Sequence, residues 1–137
     1  MTVIGLDPGT RKCGIAVVTD GTPVLLEVVP LTGFAARLAE LAATHPGAVA
    51  AIGEGTNAAV VVADATALGI PLTLINEHGT TLFARSRYFN DHPPRGWRRF
   101  MPRGMLLPPR PIDDYAALLI AERYLAARVK ETGAPQR

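Results

Sequence analysis

The sequence predicts an α/β protein: three antiparallel strands, then alternating helices and strands, forming one mixed sheet with helices on both faces. Three observations lead there. The chain up to Pro30 carries three short β-branched apolar runs separated by turn residues. After Pro30 the apolar spacing changes from strand-like alternation to helical steps of three and four. From there strand and helix patterns alternate, which in a single layer architecture gives parallel strands covered by helices.

Thr2 to Leu6 and Cys13 to Thr19, with the turn chemistry Pro8-Gly9-Thr10 between them, read as a hairpin. Asp20-Gly21-Thr22 is a second turn, and Pro23 to Val29 completes a three-stranded meander. Thr32 or Gly33 is placed to cap a helix through Phe34, Leu38, Leu41 and Ala42, stopped by His45-Pro46-Gly47. Ala48 to Gly53 is a buried strand, Asn57 to Leu68 a helix closed by Gly69-Ile70-Pro71, and Leu72 to Ile75 another short strand. Thr80 opens a helix through Leu82, Ala84, Arg85 and Tyr88. Asn90 to Pro111, rich in Pro, Gly and Arg, breaks every helical period and reads as a long loop. Ile112 to Glu131 is an amphipathic helix with apolar positions at Ala116, Ala117, Leu119, Ile120, Tyr124 and Ala127, ended by Gly133 and Pro135.

A chain of 137 residues is expected to form one domain, residues 1–137, with the basic loop at 90–111 as an excursion from it. Its single cysteine excludes an internal disulfide, and Cys13 lies in an apolar run where it packs as a small hydrophobe. The N-terminus enters strand pattern directly and no segment is long and apolar enough to span a bilayer, so a soluble, cytoplasmic protein with no membrane partner is expected. The formal charge of +2 is modest, but Arg95, Arg98, Arg99, Arg103 and Arg110 share their segment with one acid, Asp91. Trp97 and Phe100 interleave with these arginines, offering stacking and phosphate contacts to nucleic acid.

Asp7 closes the first apolar run and opens into a glycine turn bare enough for a phosphate to reach the backbone, with Thr10, Arg11 and Lys12 available to contact it. Glu54 stands in the same context after the fourth strand. If those strands are parallel neighbours, both acids project from one sheet edge, where functional crevices of α/β sheets lie. Asp113-Asp114 opens the last helix. Successive helical residues diverge by about 100°, so one of the two shares the packed stripe, and Asp113 aligns with Ala117, Ile120 and Tyr124. Carboxylates about 4 Å apart repel by roughly 4 kcal/mol at an effective dielectric of 20, so three converging acids call for a cation. An oxygen-only donor set points to Mg²⁺ or Mn²⁺ in place of zinc, and to metal-assisted phosphodiester hydrolysis. Each acid also has an ordinary reading: Asp before Pro-Gly is turn chemistry, Glu54 a solvated loop acid, and Asp113-Asp114 first-turn acids facing a helix dipole. Thr80 and Thr81 are placed to cap their helix, while Glu77 and His78 are candidates to orient water or substrate; His45 and His92 read as loop residues.

Gly5-Leu6-Asp7-Pro8-Gly9-Thr10 with Gly14 resembles the opening motif of the RuvC-type Holliday junction resolvases of the RNase H-like fold. Asn76-Glu77-His78-Gly79-Thr80-Thr81, followed by Ala84-Arg85, is similar to the Asp-Glu-x-x-Thr-Thr motif of the YqgF (RuvX) family, with Asn76 in place of the aspartate. Ile112-Asp113-Asp114-Tyr115-Ala116-Ala117 and Ile120 resemble the final helix of both groups, and the length suits YqgF. The resemblance implies a divalent-metal-dependent nuclease acting on branched DNA of the Holliday junction kind, on the ends of pre-16S ribosomal RNA, or on both. It implies Asp7 as the first catalytic carboxylate and Asp113, with Asp114 beside it, as the last. Glu54 stands where RuvC has a glutamate, although Gly53-Glu54-Gly55 matches neither group's pattern in full. It further implies Mg²⁺ or Mn²⁺ as cofactor and a homodimer as one assembly. Two other classes fit some of the same residues: a non-catalytic nucleic-acid-binding module of the same fold, and the phosphate loop of an actin- or sugar-kinase-like ATPase, which needs two such domains.

Overall fold

The structure, a computed structural model, describes residues 1–55, 57–76, 80–93 and 113–132, excluding the side chains of 80–83, 85–86 and 130–132. In chain order the elements are β1 (Thr2–Pro8), β2 (Lys12–Thr19), β3 (Thr22–Pro30), α1 (Leu31–Thr44), β4 (Val49–Gly53), α2 (Ala58–Ala67), β5 (Leu72–Ile75), α3 (Thr80–Asp91) and α4 (Asp113–Thr132). The strands form one sheet in the order β3-β2-β1-β4-β5. β1 pairs antiparallel with β2 and parallel with β4, β2 pairs antiparallel with β3, and β4 pairs parallel with β5. β1 is therefore central, and at its carboxyl end the chain departs to β2 on one side while β4 ends beside it on the other.

Local chemistry accounts for the joins. Thr19 pairs with Thr22, leaving Asp20-Gly21 as a two-residue hairpin loop, and both residues have positive φ, 50° and 81°. That is the type I′ geometry whose twist matches its flanking strands, and Asp-Gly suits it. The β2–β3 register shifts between Val17 and Val18, where Pro23 enters the ladder of an edge strand. The expected cap of α1 is corrected. Its N-cap is Pro30, extended at φ −62° and ψ 147°, with no side-chain capping bond. Thr32 and Gly33 are exposed positions inside the helix, because the Leu31 N–H is already satisfied by the Arg11 carbonyl at 2.9 Å.

Alternation along the strands divides the core in two. Ile4, Leu6, Cys13, Ile15, Ala50 and Ile52 face α1 and α2, where they meet Phe34, Leu38, Leu41, Val61 and Ala65. Val3, Ala16, Val18 and Ala51 face α4, against Ala117, Leu118, Ile120 and Ala121. Helices thus cover both faces, as the sequence predicts. α3 packs on the outer side of α4 through Ala84, Tyr88 and Phe89 against Tyr115 and Ala116, and Arg87 donates to Glu122 at 2.7 Å. No helix among the described residues is long and apolar enough to cross a membrane.

α4 approaches the sheet closely because two strand residues lack a side chain. A Cβ on Gly14 would lie 2.0 Å from the Asp113 carbonyl oxygen, and one on Gly5 would lie 2.2 Å from that of Ala117. The first turn of α4 therefore rests on β2 at Gly14 and the second on β1 at Gly5. Held between sheet and α3, these turns are buried on several sides: Tyr115, Ala116, Ala117, Leu118, Ile120 and Ala121 are all in the core, whereas Ala127 is exposed. This corrects the single-stripe expectation for the two acids. Asp114 is the buried one, and Asp113 stands half-exposed at the mouth.

The two kinds of glycine give opposite outcomes on substitution. Gly5→Ala should destabilise the protein by about 1–3 kcal/mol through overpacking against α4. Gly33→Ala, in an exposed helical position with nothing within 4 Å, should stabilise it by about 0.5–1 kcal/mol. Urea denaturation of both variants beside the parent chain measures the two signs.

Candidate active site

Asp7 is the penultimate residue of β1, half-exposed, and its register partner on β2 is Gly14. Odd-numbered β1 residues face α4, so Asp7 shares a face with Val3 and Gly5. Since Asp113 sits directly over Gly14, the sheet and the helix bring Asp7 and Asp113 to opposite sides of one bare position. Lys12 opens β2 on that face, two residues before Gly14, and its Nζ lies 3.8 Å from Asp113 Oδ2. At 42% and 36% side-chain exposure the pair lies at the surface and adds little to stability, but it sets a positive charge at the mouth of the site.

Glu54 follows β4 immediately and is exposed; its N–H donates to the Ile75 carbonyl at 3.1 Å. Leu6 pairs with Ile52, so one step further Asp7 lies beside Gly53 and Glu54 one residue beyond. The adjacency of the two strand ends expected from the sequence is present. A closed triad is not: among the described residues no three of His, Cys, Asp and Glu converge closely enough to hold a metal ion. β4 ends at Gly53, so Glu54 has left the strand's alternation, whereas Asp7 and Asp113 each lie beside Gly14. Asp114 is turned into the fold, where its Oδ1 accepts the Tyr115 N–H at 2.9 Å.

The residues fit a hard divalent cation on donor chemistry. Magnesium is commonly held by one or two carboxylates, with substrate phosphate and water completing the shell, so a carboxylate pair at an open strand edge is compatible with it. Thr10 and Arg11 are exposed in the turn between β1 and β2, beside this edge. Thr80 and Thr81 open α3, with their side chains outside the described set. Glu77, His78, Arg95, Trp97, Arg98, Arg99, Arg103 and Arg110 lie outside the described residues.

Two solved structures of Thermus thermophilus RuvC resemble this arrangement over nearly the whole chain. One, in complex with a Holliday junction substrate, matches with a TM-score of 0.60 and 22% identity, covering 94% of this chain and 96% of that one. The chain has the RuvC-like RNase H fold. The second RuvC structure gives 0.53 and 19%, covering 93% and 96%. No protein-family model matches the sequence, and no curated protein matches it either.

Within this RuvC-like frame the structure shows residues that motif reading passed over. Asn57 Nδ2 donates to the Gly9 carbonyl at 2.6 Å, tying the loop that carries Glu54 to the turn that follows Asp7. Tyr115 donates its hydroxyl to Asp91 Oδ2 at 2.8 Å, fastening the last turn of α3 to the first of α4. A polar side chain two residues after Glu54-Gly55, and a tyrosine beside the acidic pair, were the available signals; neither reveals its partner without the fold. Gly5 and Gly14 were more legible, since glycine inside a strand marks a bulge or a close approach.

Cys13 is fully buried on the opposite sheet face, and its thiol is pushed up from 9.0 to about 12 by that burial. The Asp7 charge and, more weakly, the Asp113 charge add to the shift, against a lowering hydrogen bond with the Asp7 backbone. Both acids therefore act on one strand position. In the unfolded chain the thiol ionises near 9.0, and in the folded protein only near 12. Below the lower value it adds no pH dependence; above it the unfolded state releases its proton first, and the thiol's contribution to stability falls as pH rises. The stability difference between the parent chain and Cys13→Ala should therefore narrow by about 1.4 kcal/mol per pH unit above about pH 9.5, read from denaturation curves.

Proposed function

We propose that the protein is a divalent-metal-dependent nuclease that hydrolyses phosphodiester bonds in structured or branched nucleic acid, of the RuvC and YqgF (RuvX) kind. The observation that carries this reading is the facing of Asp7 and Asp113 across Gly14, at the carboxyl edge of the central strand of a RuvC-like fold. The related RuvC was solved on a Holliday junction, which makes branched DNA the first substrate class for this chain; structured RNA such as pre-16S ribosomal RNA ends is the second.

Asp7 and Asp113 would hold Mg²⁺ or Mn²⁺, with Glu54 brought in from the end of β4 once a cation offsets the repulsion among the three. The ion supplies charge neutralisation at the phosphoryl group and activation of water. The protein's own contributions are positional. The turn between β1 and β2 admits a phosphate close to backbone, and the Asn57 bond to Gly9 holds that turn against the Glu54 loop. Arg95, Arg98, Arg99, Arg103 and Arg110, with Trp97 among them, would bind the phosphate chain and stack on unpaired bases. A homodimer would present two such centres to the two strands of a junction.

A second reading, a nucleic-acid-binding protein without cleavage, is favoured by two observations: among the described residues no three acids converge, and the Lys12 ammonium lies 3.8 Å from Asp113. Labelled four-way junction DNA and structured RNA, each incubated with the protein in Mn²⁺, separate the two, since a binder retards the substrate but leaves it intact. Asp7→Asn should abolish cleavage and leave retardation in place; undiminished cleavage by that variant would sink the nuclease assignment. Arg98→Ala combined with Arg99→Ala should weaken binding to all sequences alike and lower the salt slope of log K by about two.

A further inference from the structure

We propose that Asn57 is a positioning residue, whose amide clamps the loop carrying Glu54 to the turn that follows Asp7 and so holds Glu54 near Asp7. The effect on cleavage rests on the nuclease reading above, whereas the clamp does not. Asn57 is the N-cap of α2, a position where an asparagine side chain ordinarily accepts an N–H from the first turn of its own helix. It makes no such bond, and its backbone, at φ −114° and ψ 29°, is not the extended one that capping uses. Its Nδ2 donates instead to the Gly9 carbonyl at 2.6 Å, 48 residues away along the chain. A residue type suited to a local bond makes a long-range one.

The place of that bond gives it its effect. β1 and β4 pair from Val3 with Val49 to Leu6 with Ile52, and both Asp7 and Glu54 lie beyond the last pair, so ladder pairing does not set one against the other. The turn after Asp7 is held by the Gly9 N–H, which donates to the Lys12 carbonyl at 2.9 Å, and by the Arg11 carbonyl, which accepts the Leu31 N–H at 2.9 Å. The Glu54 N–H donates to the Ile75 carbonyl at 3.1 Å, and the Gly55 N–H to the Gly53 carbonyl at 2.8 Å. None of these bonds crosses from one loop to the other. The Asn57 amide does, reaching Gly9, which follows Asp7 in the turn, from a side chain that follows Glu54 in its loop. The bond needs a donor with reach: Gly9 offers a carbonyl oxygen, and a serine hydroxyl in place of the amide is too short to meet it. Displacing a reacting group by about 1 Å can cost about a hundredfold in rate, so one such bond is enough to govern the contribution of an exposed acid.

The test is Asn57→Ser, read first by amide hydrogen exchange on the metal-free protein. The Gly9 and Glu54 N–H groups should exchange about tenfold faster than in the parent chain, while those of Ile4 and Leu6 in the core of β1 keep the parent rate. On four-way junction DNA in Mn²⁺, kcat should fall about tenfold with KM unchanged, because binding is carried by phosphate contacts elsewhere. In a Glu54→Gln background, which has already lost that carboxylate, the same substitution should cost nothing further. Exchange at Gly9 and Glu54 within about twofold of the parent, or an equal acceleration at Ile4 and Leu6, would overturn the clamp and leave the nuclease reading standing. Equal falls in kcat in both backgrounds would overturn its action through Glu54. A parent chain that cuts neither junction DNA nor structured RNA would overturn the nuclease reading and the effect on cleavage with it, with the exchange rates still deciding the clamp.

Discussion

The seating of α4 on two bare strand positions is the constraint on which the rest of the molecule depends. Gly14 and Gly5 let the helix backbone lie where side chains would otherwise hold it away, with Asp113 over the first and Ala117 over the second. A helix raised by one side-chain layer would carry Asp113 away from Asp7 and open the packing of Ala117, Leu118, Ile120 and Ala121 against the sheet. Core packing and site geometry are thus set by the same contact. An Ala or Ser at Gly14 would cost stability and would also separate the two carboxylates, so this position cannot be optimised for one property alone.

The layout of the sheet was legible because its signals are local. Asp20-Gly21 with positive φ, β-branched runs of strand length and the change of period at Pro30 each act within a few residues, and the strands and helices fall where those signals put them. The exceptions are positions where a distant group supplied what a local one was expected to supply. Thr32 was a reasonable cap for α1, yet the Arg11 carbonyl, just before β2 on the neighbouring strand, accepts the first helical N–H. Helical periodicity favoured Asp113 for the packed stripe of α4 because it treats the helix as having one buried face. Tyr88 and Phe89 of α3 give it a second, and Asp114 is the acid that goes inside.

The candidate site divides in the same way. Asp7, Glu54 and Asp113 could be named from strand ends and a helix start, because acids at those places recur wherever a sheet edge binds cations or phosphates. What could not be named is the relation among them, which depends on register and on close approach. The parallel register of β1 and β4 puts the two strand ends side by side, but β4 stops one residue short of Glu54. Asn57, unmarked by any motif, makes the bond that keeps the two loops together. Under the proposed function, an exposed acid such as Glu54 would join the shell only once cation and phosphate are both present.

An acidic centre and a phosphate chain repel one another, so the proposed nuclease activity would call for cationic groups near the carboxylates. The chain meets this need by connectivity. The arginine-rich segment begins after α3 and ends at Asp113, and the bond from the Tyr115 hydroxyl to Asp91 joins the two elements it connects. That bond ties the last turn of α3 to the first turn of α4, which carries Asp113. Loop closure over such a span costs little more for a long segment than for a short one, since the entropy grows only with the logarithm of length. Under the proposed function, arginines tethered in the chain between α3 and α4 would be available to a phosphate chain bound at Asp7 and Asp113.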